Sequence, residues 1–128
     1  MINFKKFLVL GLLCALVLCT STAAEVKPPA QYGNAVLYSK RLCGKPIAKG
    51  GNLNCDALTA AHRKLPFGTK IRVTNLKNDK SVIVRINDRG PYTKKDILDM
   101  TPTAAKAIGL TMKNGRIRVR IDVLTVNK

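Results

Sequence analysis

Residues 81–92 read SVIVRINDRGPY, and the chemistry of the chain gathers around that stretch. Val82, Val84 and Ile86 recur at the two-residue period of a strand, and the next residue in that phase is a carboxylate, Asp88. A carboxyl group at the rim of an apolar face is partly stripped of water, which favours its protonated form and suits it to general acid catalysis. Arg85 and Arg89 pull the other way from the opposite parity. A plainer role fits the same residues, an aspartate that hydrogen-bonds the backbone of its own turn. The single histidine, His62, can donate to a reacting group or can be a hydrogen-bonded packing residue. Cys43, Cys55 and His62 together have the ligand types of an open zinc site, but their spacing does not require one, and no metal or other cofactor is expected.

The amino terminus decides the redox setting of those cysteines. Lys5 and Lys6 precede an apolar run from Phe7 to Cys19 and then small residues, the pattern of a secretory signal peptide. The run is shorter than the roughly 20 residues a spanning helix needs, so the mature chain is expected to have no transmembrane segment. Thr22 and Ala24 suit cleavage after residue 24. Cys19 offers a second route, a lipid anchor on a new amino terminus, although Leu18 stands where such signals carry a small residue. The expected location is the periplasm or cell envelope, or outside the cell. There Cys43 and Cys55 are expected to pair as a disulfide.

Residues 25–128 keep 21 basic and 7 acidic side chains, a net charge of +14. Such a surface favours polyanions, and in an exported protein these are anionic polymers of the envelope. The positive charges are scattered and aromatics are few, which argues against a base-stacking platform for nucleic acid. About 100 residues suit one domain with a modest core, expected to act as a monomer.

These residues must be positioned by short elements. A Pro-containing leader over 25–32 is expected to be flexible, and residues 34–39, NAVLYS, read as a strand. A glycine-rich loop runs from Cys43 to Cys55, and PFG at 66–68 is a break. Strands over 71–76 and 81–88 flank the turn KNDK and form a hairpin. Thr101 as N-cap, Pro102 at the first position and Gly109 at C′ bound a helix of about two turns. Asp99 is assigned to capping or bracing the start of that helix. Residues 116–126 alternate Ile117, Val119, Ile121 and Val123 with charged residues, a half-buried strand with a basic outer face. Several short strands and one short helix point to a small β-barrel, in which closure removes exposed edges.

The series GKPIAKG, ALTAAHRKLPFGTKIRVTNL, SVIVRINDRGPY and ILDMTPTAAKAIGL resembles, in order and spacing, the rare lipoprotein A (RlpA-like) family. It is more distantly similar to the barwin, expansin and family-45 endoglucanase barrels. The resemblance implies a mainly β fold, a six-stranded double-psi β-barrel with one short helix over residues 33–126, after a cleaved segment 1–24. It implies a groove that binds polysaccharide and a lytic transglycosylase acting on peptidoglycan glycan strands without stem peptides, leaving 1,6-anhydro-muramic acid ends. The family's site residues fall on Asp88, as acid and base in turn, and on His62 in support. Asn54, Asp56, Arg89, Tyr38 and Tyr92 are assigned to substrate binding. Two departures stand out. Where relatives carry an aspartate eight residues before the histidine, this chain has Asn54, with Asp56 two positions later. Lys95 and Asp96 replace the glycine and basic residue that usually precede the hydrophobic pair. The first leaves a second reading open, a non-catalytic glycan-binding module of the same fold.

Overall fold

Strand-period alternation is the local cause of the architecture. The computed structural model describes residues 27–126. The segment read as a signal peptide, with Cys19, lies outside the described residues. Six strands, β1 (Gln31–Leu37), β2 (Thr59–Ala61), β3 (Lys70–Asn75), β4 (Ser81–Asp88), β5 (Asp96–Met100) and β6 (Arg116–Thr125), close into a barrel in the order β1-β5-β2-β4-β3-β6. The β1–β5 and β2–β4 pairs are parallel and the other four are antiparallel.

Each strand sends alternate residues inward. Ile71 and Val73 of β3, Val84 and Ile86 of β4, Leu98 and Met100 of β5, and Val119 and Ile121 of β6 are fully buried in one cluster. Each contributes about 2 kcal/mol relative to an exposed side chain. The β3–β4 hairpin forms where expected, with Asn75 N–H donating to Lys80 O at 2.9 Å and Asp79 in the left-handed region at φ 59°.

The helix α1 (Pro102–Ala107) also stands where expected, and Gly109 at φ +80° ends it. Ala104, Ala105, Ile108 and Leu110 join the barrel core. Thr101 begins the helix, but its hydroxyl does not bond the helix backbone and instead donates to Ala57 O at 2.6 Å.

Three expectations are corrected. The first strand starts at Gln31, inside the leader expected to be flexible, because residues 31–36 pair with β6. Asp99 neither caps nor braces α1, since it is a residue of β5 that pairs with Ala61 and Val36. The third concerns Asp88. Ala60 pairs with Ile86 but Ala61 pairs with Asp88, so Asn87 is an extra residue on β4. This bulge breaks the inward phase of Val84 and Ile86 and turns Asp88 to the outer face, level with Ala61.

Candidate active site

Outside the barrel lies a second apolar cluster of Tyr38, Leu53 and Ala61, against which Ile47 and Cys55 pack. It holds down the loop between Cys43 and Cys55, which form a disulfide with Cα atoms 5.6 Å apart. That bond removes two of the three residues a zinc site would have used. Inside the loop, Gly44 N–H donates to Leu53 O and Leu53 N–H to Lys45 O, both at 2.8 Å. The tip of the loop then meets the bulge, where Lys49 N–H donates to Asn87 O at 3.2 Å.

Asp88 is held from three sides. Its Oδ1 accepts from the Ala48 and Arg89 amides, each at 2.9 Å, and its Oδ2 accepts from the Tyr38 hydroxyl at 2.9 Å. Tyr38 is itself anchored, 4% exposed, with its N–H donating to Met100 O at 2.9 Å. Burial first, then the Asp88 carboxylate, holds its hydroxyl far above the ordinary tyrosine range, so it remains a donor.

Asp99, to which the sequence assigned no chemistry, faces the same outer surface. Ala61 pairs with Asp88 on one side and with Asp99 on the other. Two strand spacings therefore separate the α-carbons of the two aspartates, about 10 Å. Gly90 lies against the second carboxylate, since a Cβ at Gly90 would sit 2.9 Å from Asp99 Oδ2. Its φ of +137° also requires glycine. Burial, and then the negative charges of Asp96 and Asp88, push Asp99 up to about 6, with Arg63 opposing.

His62 sits beside these residues but faces away. Its N–H donates to Asp88 O at 3.2 Å, tying the end of β2 to the end of β4. The ring is 6% exposed, with Nδ1 accepting from the Lys64 and Leu65 amides at 3.0 Å and Nε2 lying 2.9 Å from Gln31 Oε1. Two backbone donors on Nδ1 fix the neutral tautomer with the proton on Nε2. Burial, then Arg63, Arg89 and Lys64, push the imidazole down to about 4. Both ring nitrogens are occupied, which fits the packing role the sequence left open.

The residues assigned to substrate binding are distributed unevenly. Tyr38 and Asp88 are brought together, and Tyr92, 91% exposed, stands beside Gly90. The Arg89 guanidinium is occupied inside the protein, stacked 3.9 Å from the Phe67 ring centroid and donating to His62 O and Leu65 O. Asn54 is exposed and its Oδ1 accepts from Asp56 N–H at 3.0 Å, a turn that holds its own loop, and Asp56 is exposed beside it. Asp96, one of the departures from the family pattern, is a buried ion-pair partner of Arg116 at 2.7 Å, and that guanidinium holds it below the ordinary carboxylate range. Among the described residues no cluster of histidine, cysteine and acid side chains could hold a metal ion, and no helix is long and apolar enough to cross a membrane.

Comparison with known proteins places this geometry. The expansin of Clavibacter michiganensis superposes with a TM-score of 0.60 at 22% identity, over 78% of this chain and 52% of that one. The Streptomyces papain inhibitor does so with 0.60 at 17% identity, over 77% and 97%. These likenesses show the barrel fold. The probable endolytic peptidoglycan transglycosylase RlpA of Synechocystis sp. is 48% identical over 105 residues, 82% of this chain and 32% of that protein. The endolytic peptidoglycan transglycosylase RlpA of Pasteurella multocida is 40% identical over 109 residues, 85% of this chain and 37% of that protein. The chain thus spans little more than a third, at most, of these two curated relatives. A family model described as lytic transglycolase matches residues 30–121. With nearly the whole barrel inside that match, the chain belongs to the lytic transglycolase family of double-psi β-barrels.

Proposed function

We propose that this chain is an exported lytic transglycosylase that cuts the glycan strands of peptidoglycan between N-acetylmuramic acid and N-acetylglucosamine, leaving 1,6-anhydro ends. The observation that carries the reading is the outer face of the barrel on which Asp88, clamped by Tyr38, Ala48 and Arg89, stands level with Asp99, both half-buried. The names of the family's curated relatives supply the substrate.

The reaction needs one proton delivered to the leaving glycosidic oxygen and one taken from the C6 hydroxyl that attacks C1. No water is consumed, so a site whose carboxylates exchange protons with the sugar itself is sufficient. Asp88 accepts the C6 hydroxyl proton. Its three donors fix the carboxylate in place before substrate arrives, which lowers the reorganisation needed in the transition state. His62 acts through position, since its backbone holds Asp88 and its ring holds the 62–65 turn. The charge of +14 outside residues 1–24 suits strands stripped of stem peptides, which expose a carboxylate on every muramic acid. Residues 1–24 serve export to the envelope.

The test is product analysis. The purified protein, incubated with glycan strands freed of stem peptides, is expected to release fragments carrying anhydromuramoyl ends, read by mass spectrometry. Binding without such ends would make the chain a glycan-binding module instead.

A further inference from the structure

Two carboxylates share the outer face around Ala61, and their surroundings are opposite. Asp88 Oδ1 is filled by two backbone amides, which can only donate, and Oδ2 by a tyrosine hydroxyl. Among the described residues no donor reaches the Asp99 carboxylate, which is half-buried on β5 and backed by the bare α-carbon of Gly90. A carboxyl group with no hydrogen-bond donor and only partial solvation has little beyond the charge of Arg63 to stabilise its ionised form, whereas three donors suit an acceptor. Two acids in such unlike surroundings, one filled with donors and one without any, are suited to divide the work of base and acid.

Resting on the reading above, we infer that the labour is split between two residues, with Asp99 delivering the proton to the leaving sugar oxygen and Asp88 receiving the proton of the C6 hydroxyl. In balance, the C1–O4 bond breaks and its electron pair takes the proton from the Asp99 carboxyl. The C6 oxygen then closes on C1 and its proton passes to Asp88. One site acid has lost a proton and the other has gained one, and exchange with solvent, which reaches both half-buried residues, restores both. The charged groups facing Asp99 are Asp96 of its own strand, Asp88 of β4 and Arg63 after β2. Tyr38 beyond β1 contributes its hydroxyl to the same patch. Asp99 pushed up to about 6 agrees with a group that still carries its proton in mildly acidic solution. Gly90 is then a specificity-free requirement, since any side chain there would occupy the space of the acid.

Asp99→Asn separates this assignment from a structural role. The change is nearly isosteric and breaks no hydrogen bond, so the barrel is expected to stay folded and to bind strands as before. Cleavage of natural strands is expected to fall by about 100-fold or more. On an aryl glycoside of N-acetylmuramic acid, whose phenolate leaves without protonation, Asp99→Asn is expected to keep most of the wild-type rate, while Asp88→Asn loses it. In the wild type, cleavage of natural strands falls as pH rises through about 6. On the aryl substrate that fall is absent. Equal rates for Asp99→Asn and wild type on natural strands overturn the assignment and leave the proposed activity standing, and so does an equal loss on both substrates. A wild-type chain that binds strands but forms no anhydro ends overturns both.

Discussion

The Tyr38 hydroxyl donates to Asp88 Oδ2 at 2.9 Å across 50 residues of sequence, joining the end of β1 to the bulged end of β4. Tyr38 is almost fully buried beneath the loop closed by Cys43 and Cys55. The bond therefore ties the orientation of Asp88 to the packing of that loop.

Tyr38→Phe keeps the packing and removes only this donor. It is expected to cost about 1 kcal/mol in a urea melt, since the half-buried Asp88 regains some water in exchange. It should also slow strand cleavage about tenfold or more by freeing the carboxylate to rotate. A variant with reduced stability and an unchanged rate would show that Asp88 does not depend on this clamp.

Gly90→Ala places a Cβ 2.9 Å from Asp99 Oδ2, at a φ of +137° that side chains rarely adopt. A destabilisation of about 1–3 kcal/mol is expected. Because the neighbour displaced is Asp99, cleavage of natural strands should drop further than the loss of folded protein accounts for. Thermal melts and rates measured on the same preparation separate the two effects.

The pH dependence of stability has two opposing contributions. Asp99 is pushed up from 3.8 to about 6, so between those values the folded chain keeps a proton that the unfolded chain has released. Its contribution is whole below the lower value and is lost as pH rises through the upper one. His62 is pushed down from 6.5 to about 4, so its contribution is whole above the upper value and lost as pH falls toward the lower. For this buried ring the full swing is about 3 kcal/mol. Asp99→Asn should therefore make stability climb more steeply from pH 4 to 6.5 than it does in the wild type. His62→Asn should flatten the climb. Urea midpoints at half-unit pH steps would show it, and identical slopes in all three proteins would contradict both assignments.

Replacing Cys43 and Cys55 by serine opens a loop with a sequence separation of 12 residues. The chain-entropy account gives a loss of about 3 kcal/mol. Most of the barrel core lies outside this loop, so far-ultraviolet circular dichroism should be retained below the lowered melting temperature. Cleavage should suffer more, since the Ala48 amide reaches Asp88 from the tip of the loop.

The hairpin β3–β4 and the strand β6 were legible because one residue in two is apolar and the turn residues sit between them. The helix was legible from Thr101, Pro102 and Gly109. By contrast, β2 has three residues and β5 carries its own disguise. Asp96 occupies an inward position of β5, where Arg116, 20 residues later, makes a carboxylate tolerable. Without that partner in view, the segment looks too polar to be buried. Asp88 was found as a residue but not as a direction, because the extra residue Asn87 shows itself only in the register with Ala60 and Ala61. Asp99 was set aside for its closeness to the helix start, although its place between buried Leu98 and Met100 was a readable sign of an outward-facing strand residue. The partner that closes off the His62 ring, Gln31, lies 31 residues away in sequence, and nothing local announces it.

The Arg63 guanidinium lies within hydrogen-bond reach of three carbonyl oxygens, those of Pro91, Thr93 and Asp96, at 2.7–3.2 Å. The segment that carries Tyr92 past the site is thus a fixed ledge and not a lid. If the proposed function holds, a polymer would be laid against this ledge from the side, with nothing in residues 91–96 that has to swing open first. Amide exchange over residues 92–96 should accordingly be the same with and without bound glycan.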